Sequence, residues 1–301
     1  MKTIILFLAF LMVCCVLEAG AQNSNQLRVL KSGSFPVHFS QGHEGRARSI
    51  QARIGKAMEY FEELVDFHPD ITVMVLNEED WKEHTTIPMV YGMPHYTENN
   101  QRLFLTATDN PFWKSFIPPV NLLPADLAKA ITSAYRNDKG ELSMQSFFDL
   151  LALHELSHAF QFQAGLNVQR KWMGEVFANI FLHTYIAAEE PEMLSALTVF
   201  PKMVIESGSK EYSYTTLDEL EKNYVLIATK HPKNYGWFQS RWHTAAADVY
   251  NEGGVESTKK LWKALRLEKK NLNDDEFLTY LKSSDLAEVA AIMENWTKNT
   301  R

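Results

Sequence analysis

The five residues HELSH, His154 to His158, carry the chemistry most open to a reader of this sequence. They fall in a stretch with helical period from about Met144 to Ala164, with Ser143 as its expected N-cap and Gly165 as its stop. Phe147, Leu150 and Leu151 share a face with His154 and His158. At i and i+4, two imidazoles leave a helix about one turn apart, near enough to grip one small cation. Glu155 lies off to the side, too far round to be a ligand and well placed to hold a water at the metal. A catalytic zinc takes three protein ligands and keeps a fourth position open. The third is expected from the next helix, about Trp172 to Glu189, where QRKWMGEVFANIF places Glu175 seventeen positions beyond His158. The first helix climbs roughly 9 Å past His158 at 1.5 Å per residue. A turn through Gly165 to Arg170 then reverses the chain, and the second helix returns the carboxylate to the level of the histidines. The plain alternative is a hydrogen-bonded histidine pair in a core, with Glu175 a surface residue in its helix's first turn, where the dipole favours it.

HELSH followed by WMGEVFAN resembles the gluzincin zinc metallopeptidases, a peptidase MA-like group. The likeness is greatest to the aminopeptidase N-like branch, whose second motif reads W-x-x-E-x-F-A. It runs from about Leu142 to Leu182, with a weaker likeness through the C-terminal part. The resemblance implies that His154, His158 and Glu175 bind one Zn2+, that Glu155 is the general base, and that the substrate is a peptide or protein. It also implies an oxyanion donor. NYGWFQSRWHTAAADVYNEGG offers Tyr235 for that role, with Tyr224, Tyr214 and His243 as rivals. Asn179, one turn after Glu175, suits the support of that ligand or an ordinary place on the helix face. YGMPHYTENN has only fragments of the G-x-M-E-N strand by which aminopeptidases grip a free amine, so aminopeptidase activity is not expected. The segment after it, RLFLTA, is read either as an edge strand able to pair with an extended peptide or as part of a surface hairpin. His95 is read as a surface residue rather than a ligand. Two other classes stay open: a catalytically inactive gluzincin-like protein that binds peptide or glycan, and an exported structural protein without metal.

The elements that must position these residues are expected to form an α+β fold. It would be a gluzincin-type catalytic domain with an N-terminal mixed α/β lobe (22–140), a mainly helical C-terminal lobe (141–301), and the active-site cleft between them. Ile50, Ile54, Met58, Phe61 and Val65 recur at helical spacing from Arg46 to Val65. ITVMVL (Ile71 to Leu76) and RLFLTA (Arg102 to Ala107) read as strands. Pro111, Pro118 and Pro119 mark an irregular connection, and Pro124 opens a short helix reaching about Tyr135. Asn137 to Gly140 is a turn. Beyond it helical period dominates, with a helix expected from Gln239 and breaks at Gly253-Gly254 and Asn271 to Asp275.

Composition sets the outer bounds. Of 301 residues, 46% are hydrophobic and 22% charged, enough to bury a sizeable core. The net charge of -7 argues against nucleic acid or an anionic membrane as partner. Residues 1–21 read as a signal peptide. Lys2 supplies its positive end, Thr3 to Leu17 an apolar run too short for a span of roughly 20 residues, and Ala19-Gly20-Ala21 a cleavage site. The expected product is periplasmic or secreted, with no membrane span in the mature chain; an uncleaved anchor is the alternative. Cys14 and Cys15 fall inside the leader, so a metal in the mature chain would be held by His, Asp or Glu. No segment speaks to oligomeric state.

Overall fold

The computed structural model describes residues 26–85, 88–117, 119–137 and 139–296. The expected signal peptide, residues 1–21, lies outside the described residues. In chain order the N-terminal part forms β1 (Arg28–Leu30), β2 (Val37–Phe39), α1 (Glu44–Val65), β3 (Thr72–Leu76), α2 (Glu78–His84), β4 (His95–Thr97), β5 (Arg102–Thr106), α3 (Pro111–Lys114) and α4 (Ala125–Ala134). The rest is helical: α5 (Gln145–Gln163), α6 (Lys171–Glu189), α7 (Leu194–Glu206), α8 (Leu217–Lys230), α9 (Pro232–Leu267), α10 (Asp274–Ser283) and α11 (Ala287–Asn295). The fold is α+β, with one small sheet and a majority of helix.

The sheet runs β1-β2-β3-β5-β4, with β2, β3 and β5 parallel and the two edge strands antiparallel to their neighbours. Its central strands read as unbroken apolar runs because both faces are covered. Val73, Val75, Leu103 and Leu105 face the main core beside α1, while Met74, Leu76 and Phe104 pack on Trp81 of α2. α1 buries Ala47, Ile50, Ile54, Ala57, Met58, Phe61 and Val65, a stripe at helical spacing. Arg46 at its start forms a bidentate pair with Asp149 of α5 and donates to the Thr106 carbonyl, tying sheet, α1 and α5 together. α6 is buried on every side from Trp172 to Ile186, which makes it the central rod of the molecule.

Several elements differ from the sequence expectation. RLFLTA is the hairpin strand of its two readings and not an edge: β5 lies between β3 and its antiparallel partner β4, and the edges of the sheet are β1 and β4. Strand order depends on pairing between distant segments, which a local apolar pattern does not encode. His95 is not a surface residue. It stands opposite Phe104 across the ladder, stacks on that ring at 4.7 Å, and meets Trp81 edge-on, leaving 5% of it exposed. The helix expected from Gln239 begins at Pro232, because proline suits a first helical position. Its break falls at Gly254, whose φ of 60° and ψ of -152° are open to glycine alone. Ser143 caps one residue outside the assigned N-cap, its Oγ accepting the Gln145 N–H.

Candidate metal centre and its cleft

α5 and α6 form the expected hairpin, with Gly165 in left-handed conformation (φ 64°) just past the end of α5. Three ligand atoms converge inside it. His154 Nε2 and His158 Nε2 are 3.2 Å apart, Glu175 Oε2 is 3.2 Å from the first, and 3.8 Å separates it from the second. Tetrahedral zinc with bonds of about 2.0–2.1 Å holds its ligands about 3.3 Å apart. Glu175 and His154 are buried and His158 nearly so.

The surrounding amides fix which ring nitrogens carry protons. Asn179 Nδ2 donates to the Glu175 carbonyl and to Gln239 Oε1, both at 3.0 Å. That leaves Asn179 Oδ1 to accept from His154 Nδ1 at 3.3 Å. Gln161 Oε1 accepts from His158 Nδ1 at 3.1 Å. Both imidazoles therefore present Nε2 lone pairs toward each other and toward a carboxylate oxygen. Three acceptors meeting at this distance repel unless positive charge sits among them. The protonation of the cluster registers this. Burial works to lower the His158 pKa, but its hydrogen bond to Glu175 and the charges of Glu175 and Glu155 raise it to about 9. Burial likewise pushes Glu175 up, and hydrogen bonds to His154 and His158 outweigh it, holding the carboxyl well below its ordinary value. The donor set and the separations fit a divalent cation, and His154, His158 and Glu175 could hold one.

Asn179 was read either as a support for Glu175 or as an ordinary helix-face residue; it orients His154 and reaches Glu175 only at the backbone. The carboxylate is held by two other residues. Tyr224 Oη donates to Oε1 at 2.5 Å, and Gln239 Nε2 donates to Oε2 at 2.6 Å. Gln239 also donates to Tyr235 Oη at 2.9 Å, and the two tyrosine oxygens lie 3.2 Å apart. Tyr235 and Gln239 share a face one turn apart on α9. Tyr224 arrives because α8 is broken at Asn223 (φ -117°, ψ 19°). Sequence reasoning missed Gln239 and Gln161. The second left a trace in WMGEVF: a Cβ on Gly174 would press to 3.2 Å on Gln161 Nε2, so glycine there leaves room for the amide that orients His158.

Of the remaining candidates, Tyr214 is outside the site, its backbone paired with Asn234 and its ring against His231. His243 lines the same cleft as the triad. Glu155 does too, and its carboxylate is not among the three converging ligand groups. Burial raises its pKa, the two histidines and a hydrogen bond from the backbone of Tyr96 pull it down, and Glu175 raises it. Tyr96 of the edge strand β4 lines the same cleft as this carboxylate. The cleft, of about 350 Å3, is walled by residues from both sides of the 140/141 boundary, among them Met93, His95 and Phe116 on one side and Phe147, Phe200 and Tyr235 on the other. Among the described residues no helix is long and apolar enough to cross a membrane. No protein-family model and no curated protein matches this sequence.

Proposed function

We propose that this protein is an exported zinc-dependent peptidase with a gluzincin-type active site, hydrolysing peptide bonds in a peptide or protein substrate. One observation carries the reading most: Glu155 stands beside a three-acceptor cluster able to hold a metal, without joining it, in a cleft also lined by β4, an edge strand of the sheet. That edge suits an extended peptide, since unpaired backbone groups can add a strand. A zinc ion held by His154, His158 and Glu175 would supply a Lewis acid for the scissile carbonyl and would acidify water.

The chain's own residues do the remainder. Glu155 takes the proton of the attacking water and passes it to the leaving nitrogen. Its raised pKa, set chiefly by burial, brings it closer to the neutral range where a general base works best. Tyr235 donates to the developing oxyanion. Its oxygen accepts from Gln239 at 2.9 Å, and with the Tyr224 proton on Glu175 its own proton is left with only the longer 3.2 Å contact to Tyr224 Oη, which it can exchange for the oxyanion. Its pKa is raised well above the ordinary value by burial and by Glu175, so that proton stays in place at neutral pH. Tyr224 is committed to Glu175 and keeps the ligand in position.

Replacing Glu155 by Gln keeps size and removes basicity. At equal zinc loading, Glu155→Gln is expected to cleave a peptide library about 10²-fold more slowly than wild type, or less still. Equal cleavage by the two would remove Glu155 from the role of base. Zinc in both with cleavage by neither would point instead to a protein that binds peptide or glycan without cutting.

A further inference from the structure

The cleft does not end at the metal cluster. Along α5, Leu151 and Phe147 lie one and two turns N-terminal of His154 on the same face. Along α9, His243 lies one turn beyond Gln239, about 6 Å further at 1.5 Å per residue. Between these two stripes is a chamber walled by Phe116, Phe147, Phe148, Leu151 and Phe200. The four phenylalanines hold one another in edge-on and tilted contacts at 5.2 to 5.9 Å. Such walls take an aromatic ring well, edge to face.

His243 is the exception in this lining. It is 4% exposed, faces Phe147 at 5.6 Å, and neither ring nitrogen is hydrogen-bonded to a described residue. Burial, with lesser effects of His154 and His183, lowers its pKa to about 3, so the imidazole is neutral and offers one donor and one acceptor. Because the ring lines the cleft, a ligand atom there can hydrogen-bond to it. The carboxylates of the cleft, Glu155 and Glu175, stand at the metal end. The chamber end therefore suits an uncharged ring with one polar atom at its tip.

We propose that this chamber selects substrates carrying a hydroxyaryl side chain, that of tyrosine, next to the scissile bond, with His243 hydrogen-bonded to the phenol. The proposal rests on the peptidase reading for the site, and its test reads binding rather than cleavage. Zinc-loaded Glu155→Gln protein is titrated by calorimetry with blocked peptides of alanine, glycine and serine that contain a single tyrosine or a single phenylalanine. The tyrosine peptide should bind about fivefold more tightly, the gain of one hydrogen bond to a neutral partner. Adding His243→Leu, which matches the apolar walls, should bring the ratio to about one or below it. His243→Gln, which keeps a donor and an acceptor, should retain part of the preference. Equal affinity for the two peptides, a tyrosine preference unchanged by His243→Leu, or binding of neither peptide would each overturn the assignment. A preference that follows His243, in a wild-type protein that carries zinc and cuts neither peptide, would overturn the peptidase reading and leave the tyrosine pocket standing.

Discussion

Tyr224 and Tyr235 lie with their hydroxyls 3.2 Å apart, yet they have different work. The first spends its proton on Glu175; the second receives a hydrogen bond from Gln239 and turns its own proton to the longer contact with Tyr224 Oη. Tyr224→Phe is therefore expected to weaken zinc binding by about 10–100-fold, the range for losing a group that orients a metal ligand. Tyr235→Phe should keep zinc and lower kcat by about 10²–10³, as for an oxyanion donor. Competition with a chelator and turnover on a peptide substrate separate the two; the reverse pattern would exchange the roles. His154, His158, Glu155 and Glu175 were legible in the sequence because spacing on two consecutive helices is local geometry. Gln239 and Tyr224 were not readable as holders of Glu175. They come from helices whose docking depends on tertiary packing, and an isolated glutamine carries no signature. His243 stood only as a rival donor, because the phenylalanines that enclose it lie far off in sequence.

At the scale of elements, the edge strand β4 is the piece that connects sheet to site. Gln163, in the last turn of α5, holds it there. Its side chain accepts the Asp70 N–H at 2.9 Å and donates to the Asp70 carbonyl at 2.7 Å and to Tyr96 Oη at 3.0 Å. Gln163→Ala should cost about 1 kcal/mol of stability for these partly exposed bonds. It should also speed amide hydrogen exchange across His95–Thr97 while leaving zinc content unchanged. Exchange no faster than wild type would show that β4 is held by the ladder alone. The long helices and the two central strands were legible because each repeats its period several times. β1, β2 and β4 are three residues each, too short to show alternation, and β4, His-Tyr-Thr, carries no aliphatic residue to mark it.

The whole molecule is sensitive to acid through histidines that take no part in metal binding. His95 and His183 are buried, and desolvation lowers each pKa to about 4. Between pH 6.5 and 4 the unfolded chain binds protons that the folded chain refuses. Their contribution is thus complete above pH 6.5 and is lost as pH falls toward 4, by up to about 3 kcal/mol per histidine. His183 Nδ1 has no hydrogen-bond partner among the described residues, so His183→Leu removes a cost as well as a titrating group. Urea midpoints at pH 7.5 and 5.0 should differ less in His183→Leu than in wild type. A variant with the same pH dependence would mean that His183 is protonated in the fold.

Zinc stoichiometry is the measurement closest to the central claim, since the roles given to Glu155, Tyr224, Tyr235 and Gln239 all depend on an occupied cluster. Elemental analysis of the wild-type protein, purified without chelator, is expected to give about one zinc per chain. His158→Ala should lose most of it, and Glu155→Gln should lose none. Wild-type protein that takes up no zinc when supplied with it, or His158→Ala that holds zinc as well as wild type, would contradict the assignment of His154, His158 and Glu175 as ligands.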